Sequence, residues 1–238
     1  MLISINQPAY LPWLGYYERI ARSDIHVVLD HVQFEKNSMV NRNKIRTKQG
    51  WCWLTVPVKT KGSFGDLAIN KLAIADIPGW QNKQLKTLHS NYAKARYFSR
   101  YIDYFNEVFN REWNLLNPLL RELNNYLLLQ LGITTKIIYS SDEEYLSTKS
   151  DLILQICQDF AADTYLSGPF GRDYLDENLF RKGEVGISYQ DYKHPVYSQV
   201  YQGFEAYMSI VDLLFNHGND ALNILVNDQI NNEVVNNA

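Results

Sequence analysis

The 238-residue sequence has few cysteines, no long apolar run and no excess of basic residues. Its two cysteines, Cys52 and Cys157, show neither the dense spacing of a disulfide framework nor the paired spacing of a zinc site, so we expect both thiols to be reduced. No stretch approaches the roughly 18 apolar residues that a membrane-spanning helix requires. These absences predict a chain that does not insert into a membrane.

The first residues lack the charged region and apolar core of a secretory signal peptide, which predicts a cytoplasmic location. The net charge is -3, from 23 basic and 26 acidic side chains, and predicts no nucleic-acid partner. Residues 1–140 hold 18 basic and 10 acidic side chains, whereas residues 141–238 hold 5 and 16. Two attracting lobes, a basic ligand site in the N-terminal part, or oppositely charged solvated faces would each produce this asymmetry.

Several catalytic signatures are missing. The sequence contains no GxSxG nucleophile elbow, no HExxH zinc motif, no Walker loop and no dinucleotide fingerprint. Asp30 and His31 are adjacent and could orient a base, but two residues do not make a metal site, so we predict no structural metal. The residues alone leave the cofactor and the oligomeric state unknown.

Short apolar segments alternate with segments of helical spacing along most of the chain. The predicted strands are residues 2–5, 25–29, 135–139, 164–167 and 185–189, and the predicted helices between them are 13–21, 149–160 and 174–180. Strands that alternate with helices form a parallel sheet with helices on both faces. We therefore expect an α/β fold with a Rossmann-like parallel sheet flanked by helices.

The whole chain, residues 1–238, is expected to form a single α/β domain with two additions. Residues 31–76 predict a basic, strand-rich insertion, and residues 80–131 predict a helical subdomain. Shorter elements are predicted as strands at 51–58 and 67–72 and helices at 204–216 and 220–225, with helix breaks near Tyr97 and Pro118 and a helix end at Gly132.

The loop after the first strand is the first candidate site, because ligands of open parallel sheets bind at the carboxyl ends of the strands. It combines two amides, two prolines and several aromatic rings and leads into a helix N-terminus, which can bind an anion. A stiff loop that seals the sheet is the alternative. The candidates are Asn6, Gln7, Trp13 and Tyr16 for substrate binding and Tyr10 for catalysis.

A second candidate loop runs from Ser167 to Tyr174, after a strand and before a helix. Its two glycines permit tight turning, and Arg172 supplies a planar fork for phosphate or carboxylate. Turn chemistry alone would also explain this composition. Because this loop should meet the first one at the same sheet edge, we select Ser167, Gly168 and Arg172 as substrate-binding residues.

Seven basic residues and no acidic one lie between Lys36 and Lys61. In an extended NRNKIRTK segment, Arg42, Lys44, Arg46 and Lys48 would share one face, which suits a di- or triphosphate. A solvated edge strand that resists aggregation is the alternative. The candidates for anion binding are Arg42, Asn43 and Lys44.

His194 is the candidate general acid or base, because it follows the last predicted strand and imidazole titrates near neutrality. Asp30, which follows the second strand, is an alternative proton acceptor. A structural role stays open for both. The 17 tyrosines and five tryptophans would suit a nucleotide-sugar ligand, on whose rings aromatic side chains stack, or a tyrosine-rich core.

The segments INQPAYLPWLGYYERI, DIHVVLDHVQF, NRNKI, YLSGPFGRDYLD, DYKHPVY and SIVDLLFNHG together resemble the WbqC-like family. The resemblance spans Ser4 to Gly218, and QPAYLPW is its most specific part. It implies a role in bacterial surface-polysaccharide (O-antigen) biosynthesis and transfer of a glycyl or other acyl group to an amino sugar. We therefore expect a transferase whose partner is an anionic small molecule, a nucleotide-activated sugar.

The opening also has a distant similarity to the nucleotidylyltransferase class of α/β enzymes, which carry His-x-Gly-His at a helix start. The equivalent positions are Trp13 to Tyr16, and neither histidine is present. Those imidazoles stabilise charge on the transferring phosphate. This alternative implies a nucleoside triphosphate with magnesium. A non-catalytic module that binds a nucleotide sugar is the third hypothesis.

Overall fold

The computed structural model describes residues 1–60 and 67–226. Lys61 of the basic segment and residues 227–238 lie outside this part of the chain. The strands are β1 Leu2–Asn6, β2 Ile25–Val28, β3 Arg42–Thr47, β4 Gly50–Thr55, β5 Lys136–Tyr139, β6 Thr164–Ser167 and β7 Gly186–Tyr189. The helices are α1 Leu14–Ala21, α2 Trp80–Tyr92, α3 Phe98–Asn110, α4 Leu116–Leu131, α5 Lys149–Asp159, α6 Glu177–Lys182 and α7 Ile210–His217.

Five strands form a parallel sheet in the order β5-β2-β1-β6-β7. The chain starts at the centre, moves outward through β2 to β5, and then returns to the other side of β1 for β6 and β7. Numbered along the chain, the parallel strands have the order 3-2-1-4-5, which is the Rossmann order up to its fifth strand, and the order in which strands are added reverses between β1 and β6. The expected α/β Rossmann-like sheet is confirmed.

The two faces of the sheet differ in chemistry, because side chains alternate along each strand. Ile3 and Ile5 of β1 and Val27 of β2 pack in one hydrophobic cluster with α5 and α6. The opposite face carries Ser4 and His26, paired across β1 and β2, and is covered by α1. A polar central face is therefore enclosed beneath α1.

The helices between residues 80 and 131 share a second hydrophobic cluster with α1, α7 and the antiparallel hairpin β3–β4. Helix α3 buries Phe98, Tyr101, Ile102 and Phe105, whose spacing of three and four residues places them on one face. At the centre, the Phe215 ring from α7 lies 5.1 Å from Tyr92 and 5.2 Å from Phe98, measured between centroids.

Some predicted elements were wrong in detail. The expected strand at residues 67–72 is a short 3₁₀ turn, Ile69–Lys71, whose first amide donates to Val32 O. The break near Tyr97 is confirmed, but Pro118 lies in the first turn of α4, where proline is tolerated. Helix α4 ends at Gly132 as predicted. Among the described residues, no helix has the length and apolarity needed to cross a membrane.

Candidate functional site

The carboxyl ends of β1 and β6 form the point at which the strand order reverses. Asn6 ends β1 and Gln7 follows it, and the segment from Gly168 to Arg172 follows β6. A reversal of this kind opens a crevice between the two loops, where ligands of such folds bind. The structure thus brings together the two loops that the sequence predicted would meet.

Arg19, which sequence reasoning missed, projects from α1 into this position. Its Nη2 donates a hydrogen bond to Asn6 Oδ1, and a Cβ atom at residue 168 would overlap Arg19 Nη1. The absence of a side chain at Gly168 therefore leaves room for the guanidinium. Burial lowers the pKa of Arg19 from its ordinary value. Asn6 is its only hydrogen-bond acceptor within residues 1–60 and 67–226, so further donors remain for an anion.

The loop after β6 is packed closely against its own strand. Ser167 is buried, and a Cβ atom at Gly171 would overlap Ser167 Oγ. Arg172 is exposed, and its guanidinium carbon lies 4.4 Å from the centroid of Tyr189. Ser167 is therefore inaccessible, whereas Arg172 lies at the rim with its donors free to turn toward a ligand.

A buried carboxylate lies beneath the same edge. Glu18 of α1 is fully buried and accepts hydrogen bonds from Gln190 Nε2 and from Arg22 Nη1, the latter at 3.4 Å. Gln190, which follows β7, also donates to Gly15 O at 2.8 Å. Burial raises the pKa of Glu18, against the opposing effect of these hydrogen bonds. The pair connects the start of α1 to the end of β7.

Asp30 follows β2 and is surrounded by donors. Its carboxylate accepts hydrogen bonds from Asn117 Nδ2 at 2.7 Å and from Arg121 Nη2 at 2.8 Å. The Ser141 amide and hydroxyl each donate to it at 2.9 Å. Burial opposes ionisation, but these hydrogen bonds hold the pKa of Asp30 below its ordinary value. Asp30 is thus a fixed anion that links β2, β5 and α4, a geometry that disfavours the expected proton transfer by its own carboxyl group.

His31 lies beside Asp30 and is half-buried. Its Nδ1 is 2.6 Å from Ser140 Oγ, and its ring stacks on Tyr145 with centroids 5.8 Å apart. Burial lowers the pKa of His31, and the charge of Asp30 partly offsets this effect. The imidazole is therefore held in place and favours its neutral form.

Comparison with known sequences gives a match to the WbqC-like protein family over residues 7–224. The chain belongs to this family. It is 36% identical over 221 residues to the "Uncharacterized protein Rv1507c" of Mycobacterium tuberculosis (strain ATCC 25618 / H37Rv), and the alignment covers 92% of this chain and 95% of that protein. No solved structure matches the chain.

In this WbqC-like protein, three aromatic candidates of the first loop face inward or pack on neighbours. Tyr10 is fully buried and donates to Gln84 Oε1 at 3.3 Å, and Tyr16 lies against the ring of His26. Burial raises the pKa of both hydroxyls. Trp13 packs edge-on against Tyr192, with centroids 5.6 Å apart. The expected catalytic role of Tyr10 and ligand contact of Tyr16 therefore lack an accessible group.

Both ring nitrogens of His194 are hydrogen-bonded to backbone groups. Its Nδ1 is 2.8 Å from Pro195 O, and its Nε2 accepts from the Tyr207 amide at 3.1 Å. The first contact requires a proton on Nδ1, so both positions of the neutral ring are used. Burial also lowers the pKa of His194. This geometry corrects the sequence expectation, since no free nitrogen is available for acid or base catalysis.

The basic face of β3 is only partly available. Arg46 is buried and donates to Thr47 O and Gly50 O, while Asn43 is buried and donates to Leu11 O at 2.8 Å. Arg42 lies 4.4 Å from the centroid of Trp53, and Lys44 lies 4.2 Å from that of Trp51. Asn43 and Arg46 are thus structural, whereas Arg42 and Lys44 form an outer cationic face stacked on tryptophan.

The sequence carried no direct signal for Arg19, and Ser140 was not among the selected residues. Arg19 looked like an ordinary charged residue of a surface helix, and Ser140 reaches Asp30 from another strand, 110 residues away. The rule that places ligands at strand carboxyl ends could have selected Ser140, because it directly follows β5. No group of three or more His, Cys, Asp or Glu side chains suited to a metal occurs in the described part of the chain.

Proposed function

We propose that this protein binds a nucleotide-activated amino sugar at the β1–β6 crevice and transfers an acyl or aminoacyl group to it during synthesis of bacterial surface polysaccharide. The observation that carries the proposal is the guanidinium of Arg19, held between Asn6 and Gly168 where the strand order reverses. A fixed cation at this position suits the pyrophosphate of a nucleotide sugar. The resemblance to the WbqC-like family supplies the acyl chemistry.

The residues around the crevice have distinct roles in this proposal. Arg19 and Arg172 neutralise the pyrophosphate, and the narrow Gly168 turn lets the anion approach the backbone. Asn6 and Gln7 present amides to sugar hydroxyls. Arg42 and Lys44 remain proposed anion contacts on the hairpin, as the basic segment predicted. A cytoplasmic location stays a prediction.

A second candidate, a module that binds the nucleotide sugar without turning it over, is favoured by the occupied nitrogens of His194. The nucleotidylyltransferase alternative, which implies magnesium, is less well supported, because Tyr16 is buried where that class carries its second histidine. These hypotheses predict different ligands, since only the nucleotidylyltransferase requires a nucleoside triphosphate.

The experiment is a thermal-shift screen with UDP-sugars, dTDP-sugars, ATP and CTP, each with and without magnesium. A ligand that binds only the native state raises the melting temperature. We expect a shift with a nucleotide sugar, and a smaller shift in Arg19→Lys, which keeps the charge but loses the planar fork, and in Arg172→Gln.

The matched control is Arg96→Gln, an exposed arginine between α2 and α3 that lies beside the ring of Tyr97. It should leave the shift unchanged. A shift with nucleoside triphosphates alone would contradict the proposal and favour nucleotidylyl transfer. Equal shifts in the wild type and Arg19→Lys would contradict the assigned site.

A further inference from the structure

Of the five histidines, His31 alone combines a position at the carboxyl edge of the sheet with a ring nitrogen that no described residue contacts by a hydrogen bond. His26 is fully buried beneath α1. Both nitrogens of His194 are occupied. His89 lies on the exposed surface of α2, and His217 ends α7. The imidazole of His31 is therefore the one at the carboxyl edge of the sheet that keeps a ring nitrogen free of hydrogen bonds to described residues.

The free nitrogen is Nε2, because Nδ1 lies against Ser140 Oγ, and the hydroxyl proton of Ser140 decides which of the two nitrogens carries the ring proton. The Ser140 hydroxyl oxygen accepts from the Asp30 amide at 3.1 Å and lies 3.2 Å from Asp30 Oδ1 and 2.6 Å from His31 Nδ1. A hydroxyl has one proton and two lone pairs, and its proton is bound most strongly by the carboxylate. With the hydroxyl proton assigned to the Asp30 carboxylate, the remaining lone pair accepts the proton of His31 Nδ1. Nε2 is left unprotonated.

The backbone just before His31 is hydrogen-bonded to the end of β1. The Leu29 amide donates to Asn6 O at 2.7 Å, so the residues after β2 lie one strand away from Asn6. Neighbouring strands of a sheet are about 4.8 Å apart. The proposal places the acceptor sugar over Asn6 and Gln7 and extends it across the end of β2 toward residue 31.

We propose that Nε2 of His31 is the general base of the acyl transfer, and that Ser140 and Asp30 are positioning residues that hold its ring and tautomer. The inference rests on the proposed function and adds the group that removes the proton. The Ser140 hydroxyl and the Asp30 carboxylate hold the proton on Nδ1, and because burial lowers the pKa of His31, Nε2 is unprotonated and able to accept a proton near neutral pH. Stacking on Tyr145 limits rotation of the ring.

The acyl donor in this step is an activated one, a thioester or an oxygen ester. The amine nitrogen of the sugar attacks the acyl carbonyl carbon, and a C–N bond forms. The bond from that carbon to the leaving group breaks, and its electron pair departs with the leaving group. The proton lost by the nitrogen is accepted by His31 Nε2.

The first test needs no ligand. Imidazole ¹⁵N NMR of the intact protein at neutral pH should show His31 with its proton on Nδ1. Ser140→Ala should lose this preference, whereas Ser141→Ala is the matched control, because Ser141 donates to Asp30 without touching His31. A wild-type His31 protonated on Nε2 would overturn the base assignment and leave the proposed function intact.

The second test uses diethyl pyrocarbonate, which modifies unprotonated imidazole, with the sites located by mass spectrometry. We expect modification of His31 that is lost when a nucleotide sugar active in the thermal-shift screen is bound. Exposed His89 should react equally with and without that sugar. A bound sugar that leaves His31 equally reactive would overturn the inference, whereas failure of every nucleotide sugar to shift the melting temperature would overturn the proposed function.

His31→Gln separates catalysis from binding. Because Arg19 and Arg172 hold the anion, this variant should keep the thermal shift of the wild type with the same sugar while it loses acyl transfer. Loss of the thermal shift would show that His31 binds the ligand and would overturn its assignment as the base.

Discussion

The position of Arg19 depends on two small neighbours as well as on its own hydrogen bond. Asn6 accepts from Nη2, and Gly168 leaves space that a methyl group would fill. The guanidinium thus lies at the strand ends before any ligand arrives, and its conformational cost is met by folding rather than by binding. At the scale of single residues, the position of Arg19 therefore depends on the missing side chain of Gly168 as much as on the hydrogen bond to Asn6.

The buried side chain of His26 makes the free energy of unfolding depend on pH. His26 is fully buried with Nδ1 2.8 Å from Ser4 Oγ, and burial lowers its pKa to about 3, well below the ordinary 6.5. The unfolded chain therefore binds this proton more tightly, and stability present above pH 6.5 is lost as the pH falls toward 3. Between pH 7.5 and pH 5 the loss should be about 2 kcal/mol.

Urea unfolding at the two pH values checks this prediction. His26→Gln should lose less stability between them than the wild type does, by about 2 kcal/mol. His89→Gln, at an exposed position of α2, is the control and should follow the wild type. An unchanged pH dependence in His26→Gln would show that the buried ring is not the group responsible.

At the scale of elements, the end of α4 depends on backbone conformation alone. Gly132 has φ of 70°, in the left-handed region, and an added Cβ would meet no atom within 4 Å. Gly132→Ala should therefore lower the free energy of unfolding by about 1 to 2 kcal/mol, the cost of this conformation for an L-residue. Gly186→Ala is the matched control, since its nearest contact would be an ordinary 3.5 Å and its φ is not positive. Urea titration of both variants measures the difference, and equal stabilities would contradict the argument.

The elements that the sequence predicted best are those whose structure has a local cause. Apolar strands separated by helical spacing predicted the sheet, and Gly132 predicted a helix end, because periodicity and glycine conformation are local properties. Residues 67–72 were predicted wrongly as a strand, because their amides pair with Val32 and Asp30, which lie far away in sequence.

The selection of candidate site residues also depended on what is visible locally in the sequence. Asn6, Gly168 and Arg172 were predicted from the general position of ligands at strand ends. His194 was selected for the same kind of position and for its chemistry, but both of its ring nitrogens contact backbone groups. His31 was noted only as a neighbour of Asp30. Its orientation depends on Ser140, and a contact between residues 109 positions apart leaves no trace in spacing.

At the scale of the whole molecule, the two oppositely charged parts of the chain do not form separate lobes. β1 from the first part pairs with β6 from the second, so the central sheet crosses the boundary between them. Helix α7, from the second part of the chain, packs in the second hydrophobic cluster with helices of the first part. There Asp212 accepts hydrogen bonds from Tyr92 at 2.8 Å and from Tyr197 at 2.9 Å. We therefore expect the two oppositely charged parts to fold as one unit.

These shared contacts predict that the sheet and its helical cover unfold together. All five tryptophans lie between residues 13 and 113, so their fluorescence reports the hairpin, α2 and the neighbouring loops, while amide NMR signals of β6 report the sheet. The two signals should disappear at the same urea concentration. Phe215→Ala, which removes a fully buried ring from the second cluster, should lower the free energy of unfolding by about 3 to 5 kcal/mol and move both midpoints equally. If only the fluorescence midpoint moved, residues 80–131 would be an independent folding unit, and the crevice at the strand ends would then belong to the sheet alone.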